Sequence, residues 1–306
     1  MRIERDGSLR DFAGDWPTVP FGSLRLWDAR TAWLDLEPAN DQWSFGHLDA
    51  ILSKADERGV GDVLLVLGGT PRWAAGRVLD TDAAWMGPGS AAMPADLDDW
   101  RDYVATVARR YAGRIDSYEI GNEPNLLTYW SGTPTDWARL VSAAAEEIRR
   151  ADASARILIS GGMVQDAQDV EELGTWLRPV AGLAKAGRVD GLALHYYPTA
   201  YGTVRDVAGT ASLLGSALRA ISAAGWASVP RWITEMNVRH GSDLAAAVQV
   251  QAISSLVRQA RSSGFERVYW YAWTDLGPED LIQFYPGQAG EEAMRLIASL
   301  PANGLD

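Results

Sequence analysis

Two glutamates occupy positions where chemistry is easily built. Glu123 lies in Ile120-Gly121-Asn122-Glu123-Pro124-Asn125, directly after the strand-like run Ile115 to Glu119. Gly121 permits backbone angles that other residues resist, and Pro124 cannot donate to a sheet ladder. The strand must therefore stop there and leave the carboxylate at its end. Asn122 beside it offers both a donor and an acceptor. Glu235 sits in a second strand run, Pro230-Arg231-Trp232-Ile233-Thr234-Glu235-Met236-Asn237. A lone strand-end Glu is ordinarily a solvated acid. Two of them, far apart in sequence, make the pair that glycoside hydrolysis requires: one proton donor and one nucleophile or base.

Other side chains have a pattern that could serve such a pair. His195 and Tyr197 are two residues apart near the end of Val189 to Pro198, so they share one strand face. Arg25 and Trp27 share a face of the alternating run Ser23 to Asp28. Rival chemistries fit less well. The histidines are His47, His195 and His240, with neither His-x-His nor HExxH spacing, so no metal is expected. The only lysines, Lys54 and Lys185, fall in helical stretches, which argues against a Schiff base, and no cofactor is expected. The alternative from another class is a catalytically silent carbohydrate-binding barrel. Its signature would be loss of one carboxylate, and both are present.

The elements that must position these residues alternate. Strand runs are legible at Ser23–Asp28, Gly61–Leu67, Ile115–Glu119, Arg156–Ser160, Val189–Pro198, Pro230–Asn237 and Val268–Trp273. Gly61 to Leu67 is nearly all apolar, as a parallel strand buried on both faces should be. Helical patterns lie between them. In one, Trp100, Tyr103, Val104, Val107, Ala108 and Tyr111 recur at helical spacing and should face the core. Such alternation argues for parallel βα units, with no linker or repeat, and so for one domain over residues 1–306. The segment before Pro20 is polar and broken by Gly7, Gly14 and Pro17, and no strand is legible in it.

Composition narrows the partners. The 306 residues carry a net charge of -12, a poor match for nucleic acid. There is no cysteine, so neither a disulfide framework nor a thiolate metal site is available. No apolar run has membrane-span length, and the charged start lacks a signal core. A cytoplasmic location is expected, or a secreted one if a leader has been removed. The 14 tryptophans are an unusual number; some must be core, but this many also suits stacking on sugar faces.

Tyr118-Glu119-Ile120-Gly121-Asn122-Glu123-Pro124-Asn125 resembles the acid/base strand of the clan of retaining glycoside hydrolases built on a (β/α)8 TIM barrel, and Ile233-Thr234-Glu235 resembles its nucleophile strand. Within that clan, Thr70-Pro71-Arg72-Trp73-Ala74 and Trp43 to Asp49 are most similar to glycoside hydrolase family thirty-nine, the β-xylosidases, α-L-iduronidases and related endoglycosidases. The resemblance runs from about Gly22 to Asp275 and implies a barrel whose first strand, before Ser23, is irregular or missing. It implies a carbohydrate substrate, with Glu123 as acid/base, Glu235 as nucleophile and Asn122 on the sugar 2-hydroxyl. It also implies that Arg25 and Tyr197 contact the nucleophile, that His195 belongs to the site, and that Trp273 is an aromatic platform. Loops after barrel strands form the active face, which suggests Trp73 and Trp130 as further substrate walls. Glu119, on the strand rather than at its end, is expected to pack inside the barrel with an Arg or water. Gly121 replaces the bulky aromatic usual before the Asn, which suggests a wider pocket.

Overall fold

A computed structural model describes residues 19, 21–77, 86–198, 207–238, 246–271 and 289–299. Seven strands form one parallel sheet in the order of the chain: β1 (Ser23–Leu26), β2 (Asp62–Leu67), β3 (Ser117–Ile120), β4 (Arg156–Val164), β5 (Gly191–Tyr196), β6 (Arg231–Met236) and β7 (Arg267–Trp270). The described helices are α1 (Trp33–Leu36), α2 (Gly46–Glu57), α3 (Leu97–Arg110), α4 (Pro134–Ala151), α5 (Ala167–Leu177), α6 (Ala181–Lys185), α7 (Val207–Ile221), α8 (Ala246–Ser262) and α9 (Ala289–Ser299). This is the alternating plan that the hydrophobic pattern suggested. The segment in which a first strand was expected to be irregular or missing lies outside the described residues.

The sheet curls until its two ends meet. β1 and β7 approach each other, Arg267 on β7 pairs with Asp62 on β2 at 2.6 Å, and the Tyr271 hydroxyl donates to Asp28 at 2.7 Å. The result is a nearly closed barrel with helices outside it. Alternation sorts the side chains. Outward residues such as Leu65, Tyr118, Ile159, Leu194 and Ile233 join the large core under the helices, which includes the Trp100–Tyr111 face of α3. Inward residues Leu64, Leu158, Ala193, Trp232 and Tyr269 form a separate apolar layer inside the barrel. The Arg267 guanidinium lies 4.3 Å over the Trp232 ring. Two residues further along three of these strands come Ser160, His195 and Thr234, all buried. The polar site is thus set directly on an apolar floor.

Local sequence explains several boundaries. Thr133 caps α4, with Thr133 Oγ1 accepting from the Asp136 N–H and Asp136 accepting from the Thr133 N–H, each at 3.1 Å. Asp96 caps α3 through the Asp98 N–H at 2.9 Å. Pro179 lies in a 3-10 turn, Arg178–Val180, that separates α5 from α6. β4 continues beyond Ser160, the last residue of the strand run read from sequence, through Gly161-Gly162 to Val164. Ser160 pairs with Ala193 and Met163 with His195, so β4 carries one extra residue, a bulge. β6 has a bulge too: Ile233 and Glu235 face the consecutive residues Leu194 and His195. No helix among the described residues is long and apolar enough to cross a membrane.

Candidate active site

The chemistry collects at the carboxyl ends of β1, β3, β5 and β6. Strict alternation along β6 would place Trp232 and Thr234 inward and Glu235 outward. The bulge changes that, so both Thr234 and Glu235 reach the interior polar cluster while Met236 returns to the outer core. On β3, Gly121 adopts φ +72° and Glu123 φ +42°. Left-handed backbone at a non-glycine residue carries strain. It turns the Glu123 side chain to face its partners.

Arg25 is the hub. Its Nε donates to Glu119 Oε2 at 2.8 Å, its Nη1 to Glu235 Oε1 at 2.5 Å and its Nη2 to Asn122 Oδ1 at 3.0 Å. Nη2 also lies 3.1 Å from His195 Nε2. In the neutral ring Nε2 accepts, since arginine can only donate, and the proton sits on Nδ1; the protonated ring carries a proton on Nδ1 as well. That proton points at Glu123 Oε1, 2.7 Å away. The Tyr197 hydroxyl donates to Glu235 Oε2 at 2.6 Å. Thr234 Oγ1 donates to Glu119 Oε1 at 3.3 Å. Glu119 is fully buried, as expected for a residue packing inside the barrel with an Arg.

Environment separates the acids. Burial raises the proton affinity of Glu123; the His195 contact opposes this and the charge of Glu235 adds to it, leaving it above the ordinary carboxylate range. Burial works on Glu119 in the same sense, yet Arg25 and His195 overcome it and hold Glu119 below that range. Burial would lower the proton affinity of His195, but Glu235, Glu119 and Glu123 outweigh burial and Arg25 and push it up to about 9. Burial and the charge on Glu235 keep the Tyr197 hydroxyl protonated, so it remains a donor.

Glu123, His195 and Glu235 present donor atoms that all lie within 4.8 Å of one another, the grouping among the described residues that could hold a cation. Arg25 already supplies positive charge to Glu235, which a divalent ion would have to displace.

The structure thus brings together Arg25, Asn122, Glu123, His195, Tyr197 and Glu235, all anticipated from sequence. The tryptophans divide. Trp273 lies outside the described residues. Trp73 is half-buried, packs edge-on to Trp33 at 6.0 Å and donates to the Glu37 carbonyl at 3.0 Å. Trp130 is buried and packs on Trp137 at 5.6 Å. With Trp27, Tyr129 and Asn122 it lines a cavity of about 20 Å³, room for about one water and not for a sugar ring. Gly121 does not widen the pocket: a Cβ there would stand 2.5 Å from Trp137 Cζ3, so the α4 ring fills that space.

Sequence reasoning missed Tyr129, Ser160 and Tyr271. Tyr129 is half-buried beside Trp27, and burial with the charges of Glu123 and Glu235 raises its hydroxyl. Tyr271 packs edge-on to Tyr197 at 6.3 Å. The alternation Tyr269, Tyr271 was the available signal for the last of these. Ser160 carries none, since a serine at a strand end has too many ordinary uses.

The strand ends of this parallel barrel thus carry paired carboxyls, an arginine and a tyrosine. The chain belongs to the cellulase family, glycosyl hydrolase family 5, whose model matches residues 41–276. Solved structures agree on the fold. A family 39 glycoside hydrolase from Bacteroides cellulosilyticus WH2 superposes with TM-score 0.67 at 18% identity, over 92% of this chain and 58% of that one. A family 39 β-xylosidase from Caulobacter crescentus gives 0.64 at 17%, over 92% and 65%. Xylanase 10B from Thermotoga maritima gives 0.61 at 15%, over 91% and 86%. The resemblance to family thirty-nine read from sequence is consistent with these matches. The chain spans under two thirds of the length of the two family 39 enzymes. No curated protein matches it.

Proposed function

We propose that this glycosidase cleaves O-glycosidic bonds in an oligo- or polysaccharide by double displacement, with retention of configuration. The observation that carries the reading is the spacing of the two carboxyls: Glu123 and Glu235 present oxygens within 4.8 Å of each other. Retaining enzymes hold their carboxyls about 5–5.5 Å apart, inverting ones about 6.5–9.5 Å, to leave room for a water.

The roles follow from the environments. Arg25 and Tyr197 each bond one oxygen of Glu235, which stabilises its charge and aims it as the nucleophile. Glu123 holds a proton more tightly than an ordinary carboxyl. Its Oε1 accepts from His195, so Oε2 is the oxygen free to deliver that proton. In the first step Glu235 forms a bond to the anomeric carbon. The glycosidic C–O bond breaks, and the leaving oxygen takes the Glu123 proton. In the second step water gives a proton to Glu123, and its oxygen displaces Glu235. Asn122, anchored by Arg25, is placed to bond the sugar 2-hydroxyl. Both carboxyls and their partners are in place, and nothing in the site favours the silent binding alternative. The names of the similar structures, xylanases, xylosidases and a glucosidase, make xylosides and glucosides the first substrates to try.

An activated fluoro-sugar should label Glu235, and proton NMR should show product with the substrate's anomeric configuration. Labelling of another residue, or inverted product, would overturn the assignment.

A further inference from the structure

Glu123 is strained and yet deeply buried, and the contacts that hold its backbone come from outside the catalytic set. Its backbone is left-handed, φ +42°, which a side chain bearing a Cβ resists. Its N–H donates to Ser160 Oγ on β4 at 3.1 Å, a fully buried bond. Two residues on, Asn125 bonds β4 twice: Nδ2 to the Met163 carbonyl at 3.1 Å and Oδ1 from the Met163 N–H at 2.9 Å. The Asn125 side chain thus acts as a piece of strand laid along β4. The bulge makes that possible. Gly162 adopts φ +106°, and a Cβ on it would stand 2.6 Å from Asn125 Oδ1, while one on Gly161 would stand 2.9 Å from the Ala193 carbonyl. Both glycines are needed for the loop and the strands to come this close.

We propose that Ser160, Asn125 and the Gly161-Gly162 bulge are positioning elements for proton delivery, clamping both sides of Glu123 to β4. The proposal rests on the reading of Glu123 as the proton donor. None of these residues bonds Arg25, Tyr197 or Glu235, so the nucleophile stays intact when they change. Their loss therefore acts on the step that needs an acid and spares the step that does not. Misplacing a catalytic group by an ångström costs about a hundredfold, which sets the scale.

The test compares Ser160→Ala, Ser160→Thr and Asn125→Ala with the parent on aryl and alkyl glycosides of one sugar, from dinitrophenyl to methyl. Glu123→Ala serves as calibration. We expect kcat/KM for the methyl glycoside to fall about 10- to 100-fold in Ser160→Ala and Asn125→Ala. The dinitrophenyl glycoside, which needs no proton, should change less than about threefold. Ser160→Thr keeps the hydroxyl and should recover most of the loss. Equal loss on all leaving groups, or no loss, overturns the proposal. A second measurement is independent of turnover: the 13C resonance of the Glu123 carboxyl, assigned against Glu123→Gln, should titrate at a displaced midpoint in Ser160→Ala. If Glu123→Ala itself shows no leaving-group selectivity, the acid reading fails. The 13C midpoint then decides alone whether Ser160 controls Glu123, and an unmoved midpoint overturns the proposal.

Discussion

Gly121→Ala tests how the acid strand is built. Gly121 has φ +72°, and holding alanine in that region costs about 1–2 kcal/mol. The new Cβ would also meet Trp137 Cζ3 at 2.5 Å, well inside contact distance, on a ring that is itself buried. Overpacking of this kind costs about 1–3 kcal/mol. Together the two effects predict a destabilisation of about 2–5 kcal/mol, which at about 2–4 °C per kcal/mol lowers Tm by about 4–20 °C. Thermal unfolding, followed by circular dichroism, reads this directly. A cycle with Trp137→Leu separates the two causes: the steric part should vanish in the double variant while the backbone part remains, a coupling of about 1–3 kcal/mol. Activity should fall too, because Asn122 and Glu123 follow Gly121 directly. A Gly121→Ala protein as stable as the parent, with only its substrate preference changed, would refute the packing argument and restore the wider-pocket expectation.

Other consequences can be measured on the same cluster. Arg25→Met leaves Glu119 and Glu235 without their counter-ion and should cost about 3–5 kcal/mol at neutral pH. Because the folded protein depresses the Glu119 pKa, the stability it contributes is present above the unfolded value and lost as pH falls through the folded one. The deficit of Arg25→Met should therefore narrow in acid, and urea unfolding at neutral and acidic pH will show whether it does. His195→Phe removes a contact that lowers the proton affinity of Glu123. The basic limb of the pH–rate curve should then move to higher pH, and a fixed or lowered limb would contradict the assigned hydrogen bond.

Much of the protein follows from local chemistry that the chain spells out directly. The apolar run of β2, the helical stripe from Trp100 to Tyr111 and the stop at Gly121 to Pro124 need no knowledge of neighbours, because period and backbone allowance are properties of the segment itself. The pairing of Glu123 with Glu235 was legible for the same reason, each being marked by its own strand end. What only the tertiary structure decided is orientation. Alternation alone turns Glu235 outward, and the bulge opposite His195 turns it in. Gly161-Gly162 reads as a strand end, and only the approach of Asn125 shows it to be a bulge within β4. Trp130 reads as a loop aromatic suited to a substrate wall, and Trp137, arriving from α4, packs against it. These outcomes depend on groups far apart in sequence competing for the same space. A segment's own pattern records which backbone shapes it can adopt, whereas the neighbour that fills the space beside it is set when the strands close around the axis.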